Sequence, residues 1–493
     1  MIDRLASLSD LPPSVRLPAY DRERPSGIVH LGIGAFHRAH QAVYTDDALA
    51  NSGGDWMITG VSLRSPDVAA QLNPQNGLYT LLTRGADGVE ARIIGSVKRV
   101  LVAPQEPEAL LAALAAPETK IVSLTITEKG YGLDPGTGGL DSEHPSVAGD
   151  LADPRYPRGA IGLIVEALRR RREAGLAGFT VLSCDNLPAN GKVVKRLVKE
   201  FAAKAEPILA DFIADNVTFP STMVDRITPA STNRTFEDVE RLVGRSDLGA
   251  IETEPFTQWI VEDDFVAGRP QWEAGGALFV RDVAPYEKMK LRMLNGSHSM
   301  LAYAGFLAGH RYVRDVMGDA ALSALVARHM RAAAATLDPV PGVDLAHYAD
   351  ELQERFRNPA IAHETYQIAM DGTQKLPQRL LEPASVALRR GQKLDAFAFA
   401  VAAWMRYALG RDEAGERYAL RDPREKEIAS VLEKAGGDAE AVASTLLALP
   451  GLFPATLSGH QPWTDAIKGK LSLMLQKGMK VAIDKEAHSA IRE

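Results

Sequence analysis

The 493-residue chain contains a single cysteine, Cys184. One thiol cannot make an internal disulfide or a thiolate-rich zinc centre, and its scarcity suits a reducing compartment. Long apolar runs are also missing. The longest, 396–405, has ten residues, too short to span a bilayer and better suited to a buried helix. The opening stretch MIDRLASLSDLPPS carries Asp3 and Arg4 and no apolar segment of signal-peptide length. These absences predict a soluble, unanchored, cytoplasmic protein with no membrane partner. Neither sign of charge dominates, since 56 Lys and Arg stand against 63 Asp and Glu, and a net charge of −7 argues against a dedicated nucleic-acid binder. With 41 Gly and 29 Pro the chain is neither collagen-like nor low in complexity, and 46% hydrophobic residues can build a sizeable core.

What is present is an alternation. Residues 27–31 read as a short buried strand, followed by a glycine turn and a helix over 36–50. Residues 57–63 form a second strand, and 79–83 with 91–100 a β-excursion around Ala86-Asp87-Gly88. The β-branched, apolar stretch 120–127 suits a central strand. Residues 159–172 are helical, with Ile161, Ile164, Val165 and Leu168 on one face. Strands return at 178–183 and 216–224, so βαβ units and a mostly parallel sheet are expected. After about residue 280 helical spacing dominates, as in 319–334, 377–390 and 395–409. The expectation is an α/β domain over 1–280 and a mainly α domain over 281–493. The four arginines at 169–172 suit a solvated helix C-terminus.

The turn Leu31-Gly32-Ile33-Gly34-Ala35-Phe36-His37-Arg38 leaves the first strand and opens a helix, the setting in which backbone N–H groups meet a pyrophosphate. Gly32, Gly34, Phe36 and Arg38 are its cofactor-binding candidates, Arg38 as a cation that reaches a phosphate. His37 replaces the third glycine of the dinucleotide fingerprint, so an ordinary βα turn stays open as a reading. Past the second strand, Asp67 is placed to accept from adenosine ribose hydroxyls, which favours NAD over NADP. Its spacing of 35 residues from Gly32 exceeds the usual ~20, and Arg64 beside it confuses the sign.

The segment from Tyr286 to Ser299 carries the most chemistry. At ~100° per residue, Lys290, His298 and Asn295 fall at roughly 0°, 80° and 140° of a continuous helix. Leu and Met fill the positions between, so this side faces protein. Burial disfavours a charged lysine, and a lysine near neutrality can act as general base while asparagine and histidine hold an alcohol oxygen. The alternative is a snorkelling lysine on a structural helix. Tyr286 and Lys290 also satisfy the Tyr-x-x-x-Lys pair of short-chain dehydrogenases, but this chain is far longer than those enzymes and the pair falls in the helical half. The single cysteine and scattered histidines give no zinc-ligand pattern, so no metal is expected.

Six motifs occur in order: Gly-Ile-Gly-Ala-Phe-His-Arg-Ala-His (32–40), Ser-Leu-Thr-Ile-Thr-Glu-Lys-Gly-Tyr (123–131), Ser-Cys-Asp-Asn (183–186), Met-Val-Asp-Arg-Ile (223–227), Lys-x4-Asn-x2-His (290–298) and Asp-Gly-Thr-Gln-Lys-Leu-Pro (371–377). Together they resemble the long-chain polyol dehydrogenases, the family of mannitol 2-dehydrogenase and fructuronate reductase (D-mannonate oxidoreductase), nearly end to end. The resemblance implies a Rossmann-like NAD-binding domain and a helical C-terminal domain like that of 6-phosphogluconate dehydrogenase, with the site between them. It implies metal-independent catalysis with Lys290 as general base, Asn186 and Asn295 holding the oxyanion, and His298 orienting substrate. Asp225 and Lys375 match substrate-contacting positions, and Asp67 the acid associated with NAD.

Departures bear on the substrate. Mannitol-type enzymes resemble Arg-x-Cys-x-Asp-Gly-Ser-x-Lys-Phe-Pro where this chain has Gln367 in the arginine's place. It also has Lys129 and Arg292 where those enzymes look uncharged. These variants resemble the fructuronate reductase branch, whose uronate carboxylate suits an extra cation. Lys129 and Arg292 are both candidates to hold it, and each can equally be a surface residue. The expected function is NAD-dependent interconversion of D-mannonate and D-fructuronate. Its rivals are a polyol 2-dehydrogenase acting on mannitol, sorbitol or arabinitol, and, in another class, a non-catalytic sugar-acid or nucleotide sensor. The expected partner is a small sugar acid or polyol. Oligomeric state is left open, a monomer being compatible.

Overall fold

The computed structural model describes residues 2–134 and 136–491. The chain divides between Ala284 and Pro285 into two compact units. The first holds eleven strands among the described residues: β1 (Ile28–Leu31), β2 (Ile58–Ser62), β3 (Tyr79–Gly85), β4 (Gly88–Ile94), β5 (Val97–Val102), β6 (Ile121–Leu124), β7 (Thr180–Ser183), β8 (Thr222–Asp225), β9 (Ile251–Thr253), β10 (Gln258–Glu262) and β11 (Leu278–Val280). Five of them form a parallel sheet in the order β5-β2-β1-β6-β7. Counted along the chain this is 3-2-1-4-5, the order of dinucleotide-binding sheets. Thr218 bridges Thr180 in parallel and extends the β7 edge.

Parallel strands covered on both faces read as continuous apolar runs, and β1 and β6 are buried throughout. Val29, Leu31, Val122, Leu124 and Val181 share one core with Leu110, Ile164, Leu168, Val194 and Phe201 of the covering helices. Ile28, Ile58, Ile121 and Leu182 face the opposite core with Tyr44, Trp259 and Trp272. Two small sheets, β4-β3-β9 and β8-β10-β11, complete this unit.

Several expected elements are subdivided. Residues 91–100 are two strands, because the chain changes sheets between Ile94 and Val97, from β4 beside β3 to β5 beside β2. Residues 216–224 are interrupted at Pro220, which has no N–H to give a ladder, and β8 joins a different sheet. The helix expected over 36–50 breaks at His40 (φ −122°, ψ −96°) into Ala35–Ala39 and Gln41–Ser52. Six helices of the first unit lie outside the expected elements: Asp67–Leu72, Pro107–Ala115, Pro145–Ala152, Asn190–Ala205, Pro207–Asn216 and Asn233–Val243.

In the second unit, Asp395–Ala408 is buried at every position from Ala396 to Ala408. It packs between Gly296–Leu307 and Gln461–Lys477. Among the described residues no helix is long and apolar enough to cross a membrane.

The arginines at 169–172 are not a solvated face. Arg169 and Arg170 both pair with buried Glu166. Arg171 is buried and donates to the carbonyls of Ala177 (2.6 Å), Ala116 (2.5 Å) and Thr119 (3.2 Å). Arg172 and Glu206 form a half-exposed pair. Arg171→Met strands three carbonyls and is expected to cost about 2–4 kcal/mol, whereas Arg172→Met should cost under about 1 kcal/mol. Urea denaturation of both variants tests this, and equal losses would contradict it.

Candidate active site

In the first unit the candidate residues gather at the carboxyl ends of β1, β6 and β7, where strand order reverses and open α/β sheets bind ligands. Gly32 turns there at φ +96°, and a Cβ on it would fall 2.2 Å from the Thr125 carbonyl oxygen. Only glycine fits. Thr125 in turn donates its hydroxyl to the Gly32 carbonyl at 2.8 Å. Gly34 is exposed, the nearest atom to an added Cβ being 3.8 Å away, and no side chain caps the helix it opens. A phosphate can therefore approach backbone N–H groups without meeting a side chain. Phe36 is half-buried and stacks on His40 at 5.0 Å. His37, in the third-glycine position, lies beneath the turn, stacked on His30 at 3.4 Å.

Arg38 corrects an expectation. It is 7% exposed, and its guanidinium is spent on the carbonyls of Gly249 (2.6 Å) and Gly34 (3.3 Å). It braces the turn from inside and does not present a charge to a phosphate. Asp67 is exposed just past β2, at the start of the helix Asp67–Leu72, and accepts from the Ser65 hydroxyl.

Lys129 is exposed on the single turn Glu128–Gly130 that follows β6. Asn186 is exposed just beyond β7, and Asp225 is buried as the last residue of β8, opposite Gln258. Directly before Asn186 stands a residue the sequence reading missed. Asp185 accepts the N–H groups of Ile126 (2.9 Å) and Thr127 (3.1 Å) and the Tyr131 hydroxyl (2.7 Å). It thereby holds Thr127 at φ +64°, a conformation unusual for a side-chain-bearing residue. Its place in Ser-Cys-Asp-Asn was the available signal. Neighbouring Cys184 is buried, and burial raises its thiol pKa, so it packs as an apolar residue.

In the second unit the helix carrying the lysine motif is not regular. Ala284–Met289 passes into a π-helical turn, Lys290–Asn295, and then into Gly296–Leu307. The 100° wheel therefore does not describe it, and π turns of this kind recur at functional sites. Lys290 is buried at 7% exposure, Asn295 is half-buried and His298 is buried. His298 stacks on Phe356 at 4.3 Å and meets His363 edge-on at 5.4 Å. Its Nε2 has no hydrogen-bond partner. Burial, with His363, Arg355, Arg379 and Lys290 nearby, keeps it neutral far below the usual imidazole value. Lys375 donates to the carbonyls of Ile368 (3.1 Å) and Met370 (2.5 Å), and burial lowers its pKa to about 8.

Arg292 is the second correction. It is 5% exposed, donates to the Thr336 carbonyl (2.9 Å) and hydroxyl (3.2 Å), and pairs with Glu382 at 3.0 Å. Such a guanidinium is engaged in holding helices together. Tyr286, the tyrosine of the short-chain-like pair, gives its hydroxyl to the Pro341 carbonyl at 2.8 Å. No group of three or more His, Cys, Asp or Glu placed to hold a metal occurs among the described residues.

A parallel 3-2-1-4-5 sheet with a glycine turn at its switch point, joined in one chain to a helical unit with a buried lysine, defines a Rossmann-type oxidoreductase of two domains. The chain belongs to the mannitol dehydrogenase family: residues 26–274 match the mannitol dehydrogenase Rossmann domain and residues 282–472 the mannitol dehydrogenase C-terminal domain. It is 47% identical over 487 residues to the uncharacterized oxidoreductase YeiQ of Escherichia coli (strain K12), covering 98% of this chain and 99% of that protein. To the D-mannonate oxidoreductase of the same organism it is 46% identical over 481 residues, covering 96% and 98%. The Pseudomonas fluorescens mannitol 2-dehydrogenase, solved as a ternary complex with NAD and D-mannitol, superposes with a TM-score of 0.85 at 39% identity, covering 98% of this chain and 99% of that one.

Buried imidazoles give this chain an acid limit. Burial holds His30 down to about 3, His329 and His363 to about 4, and His37 and His298 well below the ordinary value. The unfolded chain therefore takes up these protons first as pH falls below ~6.5. Stability is lost from there downward, to about pH 4 for His329 and His363 and about pH 3 for His30, by ~1.4 kcal/mol per pH unit for each histidine. Urea midpoints at pH 7.5 and 5.5 should fall accordingly, and equal midpoints would contradict this account.

Proposed function

We propose that this chain is an NAD-dependent oxidoreductase that interconverts D-mannonate and D-fructuronate without a metal. The observation that carries the reading is the buried Lys290 on its π turn beside Asn295 and a neutral His298. The 46% identity to a D-mannonate oxidoreductase supports the substrate. The open side of Gly34 and the cradle at Gly32 fit a dinucleotide, which supplies the hydride acceptor or donor when bound. Gly32, Gly34 and Phe36 would hold it, and Asp67 would accept from its ribose hydroxyls.

Lys290 takes the proton of the secondary hydroxyl during oxidation and returns it during reduction. Asn186 and Asn295 donate to the oxygen on which negative charge develops. His298, kept neutral, donates to or accepts from the substrate without adding charge. Asp225 and Lys375 bind substrate hydroxyls, and Lys129 is a candidate for the carboxylate. A second reading, a polyol 2-dehydrogenase, draws on the likeness to the mannitol 2-dehydrogenase.

Steady-state assays with NADH and NADPH on D-fructuronate and D-fructose separate the two. NADH with fructuronate should give the higher kcat/KM, and a clear fructose preference would overturn the sugar-acid reading. Lys290→Ala should lower turnover by about 10²- to 10⁴-fold while NADH still binds, the outcome that also excludes a sensor. Tyr286→Phe loses only its bond to Pro341, about 1 kcal/mol of stability, and should keep turning over. An inactive Tyr286→Phe enzyme would contradict the lysine mechanism.

A further inference from the structure

The lysine helix carries His298, and two rings hold that imidazole. Phe356, buried near the end of the helix Leu345–Arg357, stacks on it at 4.3 Å with the planes 22° apart. His363 stands across it at 5.4 Å with the planes at 84°. His363 belongs to the short connection between that helix and Thr365–Ala369. Backbone bonds fix its place there: its carbonyl accepts the Val313 N–H at 3.0 Å, and Tyr312 bridges Glu364 beside it. All of these parts lie within the second unit.

The Nδ1 of His363 is buried with no hydrogen-bond partner. The ring is therefore not placed by a bond at that atom, and a phenyl in its position would give none up. What the ring meets is His298. The Nε2 of His298 is likewise buried without a partner, so no bond at that nitrogen sets the angle of its ring. An imidazole with nothing packed on it turns over a broad range about the bond to its ring. With a phenyl along its plane and a second imidazole at right angles, His298 cannot turn without displacing one of them. Two imidazolium rings would repel, but both are uncharged. Burial, with Arg355 and Lys375 nearby, lowers His363 to about 4, and burial, with His363 and Arg355 nearby, keeps His298 neutral. The crossed contact between them is thus the attractive kind that ring pairs favour.

We propose that His363, set across the His298 ring beside Phe356, is a positioning residue that holds His298 at the angle from which it orients the substrate. The proposal rests on the role given to His298 above. The wild type, His363→Ala, His363→Leu, His363→Phe, His298→Ala and the double variant His298→Ala with His363→Ala are compared in kcat/KM for D-fructuronate with NADH. Calorimetry of D-mannonate binding to the NADH-bound enzyme gives a second reading that needs no turnover, and NADH affinity and thermal midpoints are measured alongside. His363→Ala should lower kcat/KM and D-mannonate affinity about tenfold or more, as a small misplacement of an orienting group does, with NADH affinity unchanged. His363→Phe keeps a flat ring across His298 and should retain most of both. His363→Leu fills the space without a flat ring, should behave like His363→Ala, and takes its place if that variant does not fold. In the His298→Ala background the loss of the His363 ring should matter less than about twofold.

If His363→Ala costs as much without His298 as with it, His363 does not act through His298 and the proposal falls. It falls equally if His363→Phe loses as much as His363→Ala, or if His363→Ala and His363→Leu both keep wild-type values. An unimpaired His298→Ala enzyme defeats the role given to His298 itself. An impaired His298→Ala enzyme with additive losses defeats only the role of His363. A wild type that acts on D-fructose and not on D-fructuronate overturns the sugar-acid reading, and the same comparison on D-fructose and D-mannitol then decides the role of His363, which does not depend on a carboxylate.

Discussion

The first unit depends on how closely β1 passes β6 where both strands end. With the Thr125 carbonyl occupying the place of a side chain, the chain can turn at Gly32 only as glycine. The Thr125 hydroxyl then fixes the Gly32 carbonyl, and Asp185 fixes the next two N–H groups of the β6 exit. Three strand ends become one rim, with Asn186 immediately after its main clamp. His37 can stand where a third glycine is usual because the helix breaks at His40 and leaves room for a stacked imidazole pair beneath the turn. A rigid rim matters for a two-substrate reaction, since a reacting pair held within a few tenths of an ångström has already lost most of its orientational freedom.

The second unit solves a related problem with helices. A π turn carries one more residue than the α turn it replaces and rotates the helix beyond it. With its i→i+5 bonds the stretch Lys290–Asn295 rotates less per residue than an α-helix, so the lysine and the histidine stand at a different angle from that of a regular helix. The second such turn, Pro377–Leu381, lies against it, and Gly296 is the small residue that lets the backbones meet. Position in this unit is thus set in part by backbone contact between two irregular turns.

Much of this architecture was legible. Strand and helix alternation follows from hydrophobic period, and the parallel sheet was readable from the uninterrupted apolar runs of β1 and β6. What failed was local punctuation of long-range origin: the chain leaves one sheet for another after Ile94, a change set by the partners β3 and β2 and not by the run itself. The motifs single out Lys290, Asn295 and His298, which lie along one continuous helical stretch. Charge was read less well, because a sequence announces an arginine and not its partner. Arg38 and Arg292 read as cations for a ligand and Arg171 as part of a solvated face, yet each is satisfied by carbonyls or a carboxylate contributed from distant segments. Asp185 was overlooked for the same reason, its partners lying nearly sixty residues upstream. His363 comes shortly before Gln367, but nothing in the spacing says that its ring meets His298.

The helix Asp395–Ala408, with no water-facing side from Ala396 onward, has a consequence for how the chain is made. It leaves the ribosome well before Gln461–Lys477, the helix that closes over it. Until that later segment emerges, an aromatic and aliphatic rod stands uncovered in the nascent polypeptide, open to association with its like. The carboxyl-terminal helices therefore serve as a cover that completes solubility. A chain shortened before them forfeits the second unit as a whole, however intact the residues that do the chemistry.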